Sequence, residues 1–237
     1  MRNAGPSSSF AKDGSDARVS LFGDIQIEGI GLVFEQQAFD AGYRFIAGVD
    51  EVGRGCLAGP VVAAACILDP DKELPDGIDD SKKLTAEKRE EITAELKTNC
   101  IAYAIGEVDA DEIDRINILE ATKKAMLLAI AALSPPADFL LIDALELKQS
   151  PLPRKAIIRG DSISVSIAAA SILAKTYRDD LMRKYDHEFP EYGFAGHKGY
   201  GAVSHFEAIR KFGACSIHRR SFRGVCDETS NDLKLNF

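Results

Sequence analysis

The stretch Phe45-Ile46-Ala47-Gly48-Val49-Asp50-Glu51-Val52-Gly53-Arg54-Gly55-Cys56-Leu57-Ala58-Gly59-Pro60 decides the fold. A short apolar run ends in two adjacent carboxylates, Asp50 and Glu51, and a glycine-rich loop with one arginine follows at once. The next run, Val61-Val62-Ala63-Ala64-Ala65-Cys66-Ile67-Leu68, reads as a second buried strand. Two like charges at one strand terminus repel, and a bound cation is one way to relieve that cost. Backbone N–H groups of a Gly-Arg-Gly loop approach a phosphate or sugar closely because no Cβ intervenes. The leading hypothesis is therefore a set of metal ligands beside a reader of a nucleic-acid backbone.

Two plainer readings compete. Acidic residues often end strands simply as solvated turn residues. Gly53, Gly55 and Ala58 also satisfy the dinucleotide fingerprint G-x-G-x-x-A. That fingerprint needs a helix directly after the loop, whose N-terminus holds the pyrophosphate. Here Gly59-Pro60 and a β-branched run follow, so the loop is expected to join two antiparallel strands.

A chain of 237 residues is long enough for one domain with a sizeable core. Hydrophobic content of 46% and charged content of 28% are those of an ordinary globule. No apolar run reaches the roughly 18 residues of a membrane span, and the N-terminus shows no secretory signal. Five cysteines (56, 66, 100, 215 and 226) form no C-x-x-C pair, so they read as thiols in a reducing cytoplasm. Net charge is −8, unevenly spread. Residues 148–224 carry 14 Lys and Arg against 7 Asp and Glu, a net of +7, which leaves −15 for the rest. A basic C-terminal third on an acidic body fits one face meeting phosphate, although a solvated basic surface has the same composition.

Along the chain, residues 1–22 read as a disordered leader and 225–237 as a tail, with one catalytic domain between them at 23–224. Helices are expected over 32–41, 86–98 and from Asn117 to about 133, where Ser134-Pro135-Pro136 stops the last of them. Thr85 is the expected cap of the second. Strands are expected over 101–108, 139–143 and 155–158. The strongest helix covers 162–185, with Ile167, Ala170, Ala174, Tyr177 and Leu181 along one face. On a neighbouring face Lys175 and Asp179 stand at i and i+4, the spacing of an ordinary ion pair. The fold class is thus α/β: a five-stranded mixed sheet flanked by helices, with a helical C-terminal region.

Several blocks in order resemble ribonuclease HII, the bacterial type 2 ribonuclease H family. They are Gly48-Val49-Asp50-Glu51-Val52-Gly53-Arg54-Gly55, Asp80-Ser81-Lys82-Lys83-Leu84, Gly160-Asp161-Ser162 through Arg178-Asp179, His197-Lys198-Gly199-Tyr200-Gly201, and His218-Arg219-Arg220-Ser221-Phe222. The resemblance spans about 34–222. Departures are Cys56 for an expected Pro, Ala144 for Gly, Arg159 for Lys and Ala202 for Thr.

The resemblance implies a ribonuclease H fold and a metal-dependent endonuclease. Its substrates are RNA/DNA hybrids and duplex DNA with a single embedded ribonucleotide, cut 5′ of the ribonucleotide to leave 3′-hydroxyl and 5′-phosphate ends. It implies Asp50, Glu51, Asp143 and Asp179 as catalytic carboxylates and ligands of two Mn²⁺ or Mg²⁺ ions. Hard oxygen donors suit those ions, and the sequence offers no Cys/His cluster for zinc. Gly53, Arg54 and Gly55 are the expected contacts of the 2′-hydroxyl. Tyr200 is expected to stack at the RNA–DNA junction, and Lys82, Ser162 and Lys175 to touch phosphates. A monomer with no membrane partner is expected. Ribonuclease HIII, a resolvase, a nucleotide-binding oxidoreductase and a non-catalytic hybrid binder stand as alternatives.

Overall fold

The computed structural model describes residues 29–226. The expected leader at 1–22 and the tail beyond Cys226 lie outside the described residues. At the centre is β1 (Ile46–Val52). It pairs antiparallel with β2 (Val61–Ile67), which pairs antiparallel with β3 (Ala102–Val108). On its other side β1 runs parallel to β4 (Phe139–Asp143), and β4 runs parallel to β5 (Arg154–Ile157). The order β3-β2-β1-β4-β5 is the expected five-stranded mixed sheet. The antiparallel step from β1 to β2 removes the dinucleotide reading, because a strand follows the glycine loop where that motif needs a helix.

Helices cover both faces: α1 (Val33–Asp40), α2 (Ala86–Asn99), α3 (Ala110–Ile116), α4 (Ile118–Ala131) and α5 (Val165–Glu188). Two short helices, α6 (Phe194–His197) and α7 (Val203–Phe212), form the C-terminal lobe. No described helix is long and apolar enough to cross a membrane.

The alternation of side chains along β2 explains the layers. Val61, Ala63, Ala65 and Ile67 join Ala121, Ala125, Met126 and Ala129 of α4. Val62, Ala64 and Cys66 join Ile92 and Leu96 of α2 and the Ala168–Ala174 stretch of α5. A strand buried on both faces loses its period-2 signature and reads as one apolar run. The C-terminal lobe has its own cluster, where Leu57 and Ala58 of the glycine loop pack with Met182, Phe194, Ala208 and Ile209.

Thr85 caps α2 by accepting the Lys88 N–H, as expected. Asn117 caps α4 through the N–H groups of Leu119 and Glu120. The preceding α3 was not anticipated, although Asp109 caps it by accepting from Glu112, and Asp-x-x-Glu is a start signal. The apolar stripe of α5 holds through Ala174 but not at Tyr177, which is 40% exposed, because α5 outruns the sheet there.

Gly48 sets the depth at which α5 lies on the sheet. A Cβ there would sit 2.0 Å from the Ser166 carbonyl carbon and 2.5 Å from the Ile167 nitrogen. Backbone cannot yield as a side chain tip can. Gly48→Ala is therefore expected to cost roughly 3 kcal/mol, read as a shift in the denaturation midpoint. An unchanged midpoint would show that α5 can back away.

Candidate active site

Parallel pairing of β1 with β4 brings the acids together. Val49 is in register with Ile142, so Asp50 and Asp143 are the next residues along neighbouring strands. Asp50 is 4% exposed. Burial first, then the charges of Glu51 and Asp143, push its carboxyl well above the usual range. Burial likewise raises Glu51, opposed by Arg54, whose Nη1 donates to Glu51 Oε1 at 3.2 Å. Asp143 is raised by burial and by the charge of Asp161, while the Gly160 N–H donates to its Oδ1 at 2.6 Å.

Asp161 is the acid that reading the sequence passed over. It sits in a single 3₁₀ turn, Gly160–Ser162, and is 6% exposed. Lys82 Nζ donates to its Oδ2 at 2.8 Å, and Ser162 Oγ donates to its Oδ1 at 3.3 Å. Two of the expected phosphate contacts thus hold a carboxylate. The signal lay in Gly160-Asp161-Ser162, read there only as part of a block.

Asp179 keeps different company. Lys175 Nζ donates to its Oδ1 at 2.7 Å and Arg89 Nη2 to its Oδ2 at 3.1 Å. Arg89 Nη1 in turn donates to the carbonyls of Ser81 and Leu84, which bracket Lys82. The structure therefore gathers Asp50, Glu51, Asp143 and Asp161, and places Asp179 in a network that braces the Lys82 loop.

The donor set is all oxygen, acid-rich and partly desolvated, which fits Mg²⁺ or Mn²⁺. Among the described residues no three such groups converge on one point as they stand. Glu51 is turned to Arg54, Asp143 to Gly160, and Asp50 Oδ1 to the Glu51 N–H at 2.7 Å.

The glycine loop flanks the acids. Gly53 has φ +90°, and a Cβ on it would meet Arg178 Nε at 2.3 Å. Its missing side chain makes room for a buried arginine. Gly55 is exposed with open space around its Cβ position, and Arg54 is exposed beside it. Tyr200 is 42% exposed.

A family model described as ribonuclease HII matches residues 47–225. The ribonuclease HII of Syntrophotalea carbinolica is 53% identical over 194 residues, covering 82% of this chain and 92% of that protein. The crystal structure of ribonuclease H2 from Pyrococcus horikoshii OT3 superposes with a TM-score of 0.66 at 26% identity, over 77% of this chain and 95% of that one. Bst-RNase HIII in complex with Mn²⁺ shares the fold at 20% identity and a TM-score of 0.58, over 79% of this chain and 70% of that one.

Two outcomes follow from the packing of charge. An acid whose folded pKa is raised stabilises the fold only at low pH, and that stability is lost as pH rises through the folded value. Asp50→Asn should therefore raise the thermal midpoint at pH 7, by roughly 2–4 °C per kcal/mol of repulsion removed. Mg²⁺ should raise the midpoint of the wild type and not of the variant. A lower midpoint for Asp50→Asn would show that its hydrogen bonds outweigh the repulsion. Separately, Ala144 directly follows Asp143 with φ +47°. Ala144→Gly should stabilise the fold by about 1 kcal/mol, measured by denaturation.

Proposed function

The chain belongs to the ribonuclease HII family, metal-dependent endoribonucleases acting on RNA/DNA hybrids, and from that premise we propose a finer reading. The protein cleaves at single ribonucleotides embedded in duplex DNA as well as in hybrids. The cut falls 5′ of the ribonucleotide and leaves 3′-hydroxyl and 5′-phosphate ends. Asp50, Glu51, Asp143 and Asp161 hold two divalent ions. The observation that carries this is the meeting of three acids at adjoining strand ends with Asp161 of a nearby 3₁₀ turn, beside an exposed Arg54-Gly55 turn.

Divalent cations in that acidic group would supply a polarised water and stabilise the leaving oxygen. The chain's own residues do the rest. Lys82 neutralises part of the acid cluster through Asp161, and its exposed side chain is open to a phosphate of the substrate. Arg54 and Gly55 meet the 2′-hydroxyl with backbone groups, because no side chain at Gly55 keeps the sugar off. A site built to bond that hydroxyl rejects deoxyribose strongly, since without it polar groups are left unpaired. Tyr200 lies against the deoxyribose on the 3′ side. Lys175 pairs with Asp179 and supports the loop with it.

One assay on duplex DNA with a single ribonucleotide, with Mg²⁺ or Mn²⁺, tests this. Asp143→Asn and Asp161→Asn should each lose roughly 10²-fold or more in turnover, with the fold intact. Asp179→Asn should lose thermal stability and less turnover, because it removes a brace and not a ligand. Near-wild-type turnover in Asp161→Asn, with abolition in Asp179→Asn, would return the fourth position to the long helix.

A further inference from the structure

Two imidazoles in the C-terminal lobe form a hydrogen-bonded chain that ends on Tyr200, and a third stacks on it. The Cys215 N–H donates to His218 Nδ1 at 3.0 Å. His218 Nε2 lies 3.0 Å from His205 Nε2, and His205 Nδ1 lies 2.8 Å from the Tyr200 carbonyl. His205 is 0% and His218 1% exposed. His197 stacks on His205 with ring centroids 4.3 Å apart.

The protons in this chain are fixed from both ends. A backbone N–H only donates, so His218 Nδ1 carries the lone pair and Nε2 the hydrogen. A carbonyl only accepts, so His205 Nδ1 carries the hydrogen and Nε2 the lone pair. The two assignments meet without conflict as His218 Nε2–H donating to His205 Nε2. The Gly199 N–H fixes His197 in the same way, leaving its Nε2–H to donate to the Tyr192 carbonyl.

The other main-chain group of Tyr200 is also held. The Tyr200 N–H donates to the His197 carbonyl at 2.9 Å. Both backbone groups of Tyr200 are therefore tied down while the side chain stays presented at the surface.

We propose that His205 and His218 are positioning residues for Tyr200: their tautomer-locked pair sets the pose in which the ring meets the sugar at the junction. This rests on the reading of Tyr200 as the junction residue. A second proton on either ring breaks the chain, because it sets N–H against N–H across a 3.0 Å contact. Burial pulls both imidazoles down to about 4, with His205 adding to the effect at His218 and His197 at both. The other titratable or charged groups facing the pair are Arg220, Cys215 and Tyr192, whose ring centroid lies 4.9 Å from that of His218, and Glu191 faces Cys215. The pair is thus neutral at the pH where the chain must hold.

Two measurements on the full chain test the proposal. Long-range ¹⁵N correlation spectra between pH 6 and 7 should show His205 with its hydrogen on Nδ1 and His218 with its hydrogen on Nε2. An Nε2–H tautomer or a cation at His205 would overturn it, and this needs no variant. Second, cleavage is measured on a single-ribonucleotide duplex and on a uniform RNA/DNA hybrid, and the ratio of kcat/KM values is compared. Tyr200→Ala and His205→Ala should each lower that ratio about 10-fold. The double variant should add nothing further, and His205→Asn, which keeps a donor at the δ position, should restore most of it. A selective loss in Tyr200→Ala with equal losses on both substrates in His205→Ala would leave Tyr200 as the reader and remove the positioning role. Equal losses in Tyr200→Ala itself would remove the junction reading, and the proposal with it.

Discussion

Two buried guanidiniums hold the molecule's working surface together. Arg178 donates from Nε to the Pro60 carbonyl at 3.1 Å, from Nη2 to Ala58 at 3.0 Å and from Nη1 to Lys198 at 2.8 Å. Arg219 donates from Nε to Gly59 at 3.0 Å and from Nη1 to Arg54 at 2.8 Å. Both are 0% exposed. Hydrogen bonds to charged donors are the strong class, and a buried charge is tolerable only when its donors are used. Here they satisfy five carbonyls in two loops that form no ladder of their own, and Arg219 Nη2 is left buried without a hydrogen-bond partner. Gly53 is a glycine because Arg178 occupies the space of its side chain. The loop beside the acids is thus shaped from behind by charges that never reach the surface.

The acids are placed by a different logic. Sheet register decides where Asp50 and Asp143 stand, and register follows from burial on both faces of β1, β2 and β4. A slip of one residue would send Asp50 into the core and an apolar residue to the site. Burying like charges together costs stability, and here the packing of the rest of the sheet bears that cost. Gly48 contributes by letting α5 lie close, which brings Ser171 to Asp50.

Much of this was legible in the sequence, and the reasons differ by element. The sheet was readable because apolar runs of five to eight residues ended in glycine, proline or acid, and β1 carried its two carboxylates to the end. Asp143 was readable as the terminus of Phe139-Leu140-Leu141-Ile142. Asp161 was not, because it lies on no regular element and its partner Lys82 is 79 residues away. Asp179 attracted attention by sitting in a long matching block, and its i,i+4 spacing to Lys175 anticipated the ion pair it makes. Arg178 and Arg219 were hidden for a general reason. A charged residue reads as surface, and only the fold shows a guanidinium facing carbonyls from loops far apart in sequence.

The long helix α5 joins these two systems. Its first half packs on β1 and β2 and fixes the chemistry, whereas its second half leaves the sheet and enters the C-terminal lobe. Neighbouring residues then serve opposite sides: Arg178 turns to the glycine loop, and Asp179 to Arg89 and the Lys82 loop. One rigid rod therefore sets the distance between the acids and the lobe that carries Tyr200. On the proposed reading, a site that finds one sugar in a duplex needs that distance fixed, because reading and cutting would happen a set number of nucleotides apart. A hinge in α5 would blur the position of the cut before it weakened binding. The continuous helix from Val165 to Glu188, with no proline or glycine inside it, meets that requirement in the plainest way the backbone offers.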